Sequence, residues 1–213
     1  MEAILEEIYN GILNGEAKTV EAKVQAALEN KIYPKEILDR GMVDAMSEVG
    51  HRYETGECFV PEMLISARAM QAGMGVLKSY LKEANIAPAG KVAIATVKGD
   101  LHDIGKNMVG MMLEGAGFEI LDQGSDVYPE KIVAVVKEFS PDIVALSALL
   151  TTTMLNMKLI IDALQAADLR DKVKVMIGGA PVTEAYAVQI GANGYAPDAS
   201  RAVKLAKDLV EKR

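Results

Sequence analysis

Cysteine is all but missing from this chain. Cys58 is the only one in 213 residues, so no intrachain disulfide can form and no cysteine-rich zinc or iron–sulfur centre is available. Histidine is nearly as scarce, with two, which restricts any metal site to few protein ligands. No apolar stretch approaches the ~18 residues that would span a membrane. The start, MEAILEEIYNGILNGE, is acidic and amphipathic, without the basic residues and apolar run of a secretory signal. Clusters of Lys and Arg are absent too, and the formal charge is −7. That opposes a nucleic-acid partner, because phosphate binding draws on concentrated positive charge. There is no internal repeat and no low-complexity tract. The expectation is a cytoplasmic protein with no membrane and no nucleic-acid partner.

What is present is ordinary globular material, half apolar and a quarter charged, in a length that allows one large domain or two small ones. From Met1 to about Ala87 the apolar residues recur three and four apart, and the pattern breaks at Gly15, Pro34 and Pro61. Four helices are predicted. The first carries Ile4, Leu5, Ile8 and Ile12; the second Val20, Val24, Ala27 and Leu28; the third Ile37, Leu38, Met42, Ala45, Met46 and Val49; the fourth Met63, Leu64, Ala67, Met70, Met74, Leu77 and Leu81. Gly15 and Gly56 suit helix stops, and Pro61 suits the first turn of the fourth helix. Short connections favour a small antiparallel bundle. Met63, Met70 and Met74, with Phe59, form a stripe whose ordinary meaning is bundle core.

The pattern changes at Asn85-Ile86-Ala87-Pro88-Ala89-Gly90, the best linker in the chain, so residues 1–88 are expected to form a helical domain and 89–213 a second one. Short apolar runs then alternate with helical patterns. Strands are expected at Val92 to Val97, Phe118 to Leu121, Ile143 to Leu146, Val173 to Ile177 and Gly194-Tyr195, with helices at about 105–116, 129–139, 154–168, 183–190 and 199–211. This βαβα alternation implies α/β architecture: a doubly wound parallel sheet of five strands, Rossmann-like or flavodoxin-like, with helices on both faces. Ligands of such folds sit beyond the carboxyl ends of the strands.

The first of those loops runs Lys98-Gly99-Asp100-Leu101-His102-Asp103-Ile104-Gly105-Lys106-Asn107. It falls short of a phosphate-binding P-loop, because five residues separate its glycines and Asn107 stands where a magnesium-binding hydroxyl is needed. No GxGxxG is present either. The loop does offer an imidazole, His102, with carboxylates two residues before and one after. A metal-binding His commonly gives its other ring N–H to a carboxylate, which Asp100 could accept. The alternative is that Asp100 and Asp103 cap the following helix and His102 is a solvated loop residue. One imidazole cannot hold zinc by itself, so a metal bound here would need its other ligands from elsewhere, as a macrocycle supplies them.

Asp100-Leu101-His102-Asp103-Ile104-Gly105 resembles the DxHxxG signature of cobalamin-binding domains, and the longer GDLHDIGKNMV resembles the form found in methionine synthase and in corrinoid proteins of methyltransferase systems. Ser147-Ala148-Leu149-Leu150-Thr151-Thr152-Thr153 resembles the family's SxL segment after the third strand, and Gly178-Gly179 its GG after the fourth, although a GG is also an ordinary strand-to-helix turn. Phe59-Val60-Pro61-Glu62-Met63-Leu64 resembles the helical cap that precedes the domain. The resemblance covers nearly the whole chain.

It implies cobalamin or a related corrinoid as cofactor, bound with its nucleotide base off the cobalt and His102 as the axial ligand in its place. Asp100 would hydrogen-bond His102, and Thr153 would extend that relay where methionine synthase has a serine. Leu101, Asp103, Ile104, Ser147, Leu149 and Thr151 would contact the cofactor, Ser147 and Thr151 along its nucleotide tail. Gly105, Gly178 and Gly179 would let backbone approach that tail, since they lack a β-carbon. Tyr195, Ala196 and Asp198 are candidates for the corrin rim, and Phe59, Met63 and Leu64 for a lid over its other face. The chain has no barrel of the kind the carbon-skeleton mutases carry, and residues 1–88, with a formal charge of −5, do not favour the DNA-binding segment of a cobalamin-dependent sensor, the competing class. The resemblance therefore implies a methyl carrier, without catalysis of its own, that serves a substrate-specific methyltransferase, an acceptor methyltransferase acting on tetrahydrofolate or a thiol, and a reductive activase.

Overall fold

The computed structural model describes residues 2–211; Met1, Lys212 and Arg213 lie outside the described residues. Chain contacts divide it into two compact units, the first comprising residues up to Pro88 together with Glu114–Gly117, the second Ala89–Leu113 and the residues from Phe118 onward.

The first unit contains α1 (Glu2–Leu13), α2 (Ala17–Glu29), a short α3 (Pro34–Glu36), α4 (Asp44–Thr55) and α5 (Val60–Glu83). Gly15 and Gly56 have the left-handed φ values, 72° and 78°, that end the preceding helices, and Pro61 lies in the first turn of α5. Most of the predicted stripe forms the core, with Ile8, Ile12, Ile37, Met42, Met63, Met70 and Leu77 fully buried, while Ile4, Leu28, Leu64 and Met74 are half-buried. α2 packs on α1 and α5, and α1 on α4.

The third predicted helix differs from expectation. Between α3 and α4 the chain forms a π-helical segment, Ile37–Val43, and the reason lies in the spacing. Ile37, Gly41, Ala45 and Val49 recur at strict fours, as do Leu38, Met42, Met46 and Gly50, and all eight are buried. A repeat of four outruns the 3.6 residues of an α-turn, so the stripe would wind off the core. The wider π-turns bring it back.

The second unit is a parallel sheet of β1 (Lys91–Thr96), β2 (Glu119–Asp122), β3 (Ile143–Ser147), β4 (Lys174–Gly178) and β5 (Gly194–Tyr195), in the order β2-β1-β3-β4-β5. The helices are α6 (Ile104–Gly115), α7 (Pro129–Phe139), α8 (Asn156–Ala166), α9 (Glu184–Ile190) and α10 (Ala199–Glu211). Strand alternation separates the two faces. Ala93, Ala95, Val144, Leu146, Val175 and Ile177 form a closed core with Ile132 and Val136 of α7, Ile160 and Leu164 of α8 and Ala187 of α9. The intervening residues Ile94, Ala145 and Met176 turn to the face that carries α6 and α10. Strand order reverses between β1 and β3, so the helices that follow them, α6 and α8, pack on opposite faces of the sheet. This is the switch point at which doubly wound sheets bind ligands.

Gly179, just past β4, has φ +125°, and a β-carbon on it would lie 1.9 Å from the Ala148 carbonyl oxygen. Neither strain can be relieved by a side-chain rotation. Gly179→Ala should therefore lower the stability of the ligand-free protein by about 2 kcal/mol or more, read as a lower urea midpoint at unchanged slope.

Candidate corrinoid-binding site

The loop after β1 is organised by Asp100, which has no exposed surface. One carboxylate oxygen accepts the His102 amide at 3.1 Å, an Asx turn, and lies 2.8 Å from His102 Nδ1. The other accepts the Thr153 hydroxyl at 2.6 Å and the Leu149 amide at 2.8 Å, with the Leu150 amide at 3.4 Å. Burial pushes the Asp100 carboxyl up, but the hydrogen bonds from Thr153, the Leu149 amide and both His102 donors outweigh it and hold the group well below the usual carboxylate range. An ionised carboxylate only accepts, so the proton of the imidazole sits on Nδ1 and the lone pair on Nε2. The His102 side chain is 53% exposed. Asp100 is thus no helix cap, and His102 is a loop residue with a fixed tautomer.

Three further contacts hold this loop. The buried Thr96 hydroxyl donates to the His102 carbonyl at 3.0 Å. Asn156 Nδ2 donates to the Lys98 carbonyl at 2.9 Å, tying the loop after β3 to the loop after β1 independently of Asp100. The Tyr186 hydroxyl donates to the Met154 carbonyl at 2.9 Å and anchors the turn that bears Thr153. None of the three belongs to the sequence-predicted set. Thr96 has a legible signal, as the one polar residue on the Val92-Ile94-Thr96 face of its strand; the other two pair residues too far apart in sequence for any local pattern.

Beside the loop, a cleft of about 300 Å³ opens between the sheet and the helices α6 and α10. Its walls are Ile94, Ala145 and Met176 from the strands, Gly105, Lys106, Met108 and Val109 from α6, and Ala199 and Ala202 from α10. Of the predicted residues, His102, Gly105, Ser147, Leu149, Gly178, Gly179, Ala196 and Asp198 line it. A β-carbon on Gly105 would meet nothing within 4 Å, so this position opens onto the cleft without filling it.

Other predicted residues stand differently. Gly178 and Gly179 are glycines because of the protein's own backbone, since a β-carbon on Gly178 would lie 2.9 Å from the Ala196 carbonyl oxygen. Thr151 is exposed in the turn after β3 and outside the cleft. Tyr195 packs on the closed core of the opposite sheet face. One Asp198 oxygen accepts the Arg201 amide at 2.8 Å and so caps α10. Leu101 and Ile104 are 73% and 80% exposed beside His102, with Asp103 exposed between them. In the helical unit Phe59 is 66% exposed at the N-cap of α5, Leu64 is half-buried, and Met63 is fully buried and has no surface to offer a ligand.

Two B12 binding domain models match the chain, one over residues 90–204 and a second over residues 4–78. The chain belongs to the B12-binding corrinoid proteins. It is 43% identical over 210 residues to the dimethylamine corrinoid protein of Methanosarcina barkeri, covering 98% of each chain. Among solved structures it resembles a cobalamin-binding protein from Desulfitobacterium hafniense DCB-2 (34% identity, TM-score 0.79, 96% of this chain and 98% of that one). It also resembles the methanol:cobalamin methyltransferase complex MtaBC from Methanosarcina barkeri (29% identity, TM-score 0.88, 100% of this chain and 81% of that one). The cofactor is cobalamin or a related corrinoid, and the residues present suit it: an imidazole of fixed tautomer at the mouth of a largely apolar cleft, with a glycine that leaves the cleft open.

The Asp100 contacts give this corrinoid protein a pH signature. A carboxyl whose folded pKa lies below its unfolded value of about 3.9 stabilises the fold fully above that value and loses the contribution as pH falls through the folded one. Asp100→Asn should cost the ligand-free protein about 2 kcal/mol at neutral pH. The gap to the unaltered protein should close as pH is lowered from about 5 towards 2, measured by urea unfolding. A gap that stays constant would mean the carboxylate charge is not what the surrounding donors hold.

Proposed function

We propose that this protein is a methyl carrier that binds its corrinoid base-off, with His102 Nε2 as the axial ligand of the cobalt. The observation that carries the reading is the Asp100 carboxylate, which fixes the His102 tautomer with one oxygen and accepts the Thr153 hydroxyl with the other. The bound corrinoid supplies a cobalt centre that takes up a methyl group and gives it away. This chain's residues do the rest. The cleft beside Ser147 and Gly105 receives the nucleotide tail, and Leu149 at its mouth offers the corrin an apolar rest. Asp100 would present His102 Nε2 to the metal by holding the Nδ1 side of the ring, and Thr153 would steady Asp100 by occupying its second carboxylate oxygen.

The Methanosarcina barkeri relative, a dimethylamine corrinoid protein, supports a methylated amine as the ultimate donor. The likeness to a methyltransferase complex supports a substrate-specific methyltransferase as partner. An acceptor methyltransferase and a reductive activase complete the system, since a carrier needs a consumer and a cobalt centre that drifts to a higher oxidation state needs restoring. This reading supports a cytoplasmic protein. Among the described residues no helix is long and apolar enough to cross a membrane.

Electron resonance of the Co(II) form tests the ligand directly. Protein grown on heavy-nitrogen-labelled histidine should show an altered nitrogen splitting, and His102→Ala should lose that splitting while retaining corrinoid through the tail cleft. Persistence of the labelled splitting in the variant would rule out His102.

A further inference from the structure

The tail cleft contains a charge that no part of the mechanism uses. Lys106, in the first turn of α6, lines the cleft with its side chain only 1% exposed. Its ammonium meets the Asp122 carboxylate at the end of β2 and Asn107 Oδ1 at 2.6 Å. An ammonium has three N–H donors, and the third has no acceptor among the described residues. Asp122 is shared: its other oxygen accepts the Gly124 amide at 2.8 Å, and its side chain is 44% exposed. Lys106 is also the one lysine or arginine in the cleft wall, which otherwise carries the carboxylate of Asp198.

Resting on the corrinoid reading above, we propose that Lys106 is the phosphate-binding residue of the site, its free N–H donating to the phosphodiester of the corrinoid's nucleotide tail. That phosphodiester is a permanent anion. Carried into an apolar cleft on a chain of net charge −7, it requires a cation or it resists burial. The half-exposed Asp122 competes weakly for the ammonium because water already serves it, and it keeps Lys106 neutralised until the tail arrives. A tie between α6 and β2 alone would need no third donor in the cleft and no burial of the ammonium there.

The test compares cobalamin with cobinamide, which keeps the corrin and cobalt but lacks the nucleotide and its phosphodiester. Affinities are measured by equilibrium titration on the full chain. Lys106→Met preserves the length of the stem and leaves Asp122 to solvent. It should weaken cobalamin about tenfold, the worth of a charge-assisted hydrogen bond, and leave cobinamide unmoved. Asp122→Asn keeps an acceptor for the ammonium while removing the competing charge, and should tighten cobalamin several-fold without moving cobinamide. Equal losses for the two ligands in Lys106→Met would reduce the residue to a structural tie and overturn the assignment, as would no gain for cobalamin in Asp122→Asn. Failure of the unaltered protein to bind either ligand would instead strike the corrinoid reading itself.

Discussion

A buried carboxylate costs on the order of several kcal/mol in lost hydration unless donors surround it, and Asp100 is buried where the loops after β1 and β3 meet. Its donors come from both. His102 supplies two from its own loop; Thr153 and the Leu149 amide reach across from the other. Neither loop can move without leaving that charge short of partners, so the imidazole is fixed in place before any ligand arrives. Thr96 under the His102 carbonyl and Asn156 across to Lys98 reinforce the same arrangement from below and from the side.

The sheet divides its labour between faces. One carries a closed core with α7, α8 and α9, where Val144, Val175 and Ile160 are fully buried. The other leaves a cleft against α6 and α10, walled partly by small residues such as Gly105, Ala145, Ala199 and Ala202. The closed face gives the sheet a filled core that does not depend on what occupies the cleft. The two methionines of the cleft, Met108 and Met176, suit walls that adjust to what they receive.

Most of the architecture was legible because it depends on local periodicity. Every predicted strand and helix of the second unit has a counterpart within a few residues, and Gly15, Gly56 and Pro61 punctuate the helical unit as their backbone preferences require. The Asp100–His102 pair was legible in the loop itself, and Thr153 only through resemblance, since no spacing rule joins residues 53 apart. What escaped is of two kinds. The π-segment at Ile37–Val43 hides in the difference between a repeat of four and one of 3.6. Thr96, Asn156, Tyr186 and the Lys106–Asp122 pair act through contacts that only the folded sheet creates. The glycines after β4 were legible as a motif but not in cause, because the carbonyls that crowd them belong to Ala148 and Ala196 on other loops.

The helix α10 follows every strand of the sheet in the chain, yet it forms one whole side of the cleft. A polypeptide leaves the ribosome from its amino end and folds in that order. The His102 loop, its Asp100 and the strands beneath therefore exist for a time as a half-built berth with no second wall. The cleft is complete only once α10 has docked, so a ligand held there is taken up after that helix has packed on the sheet.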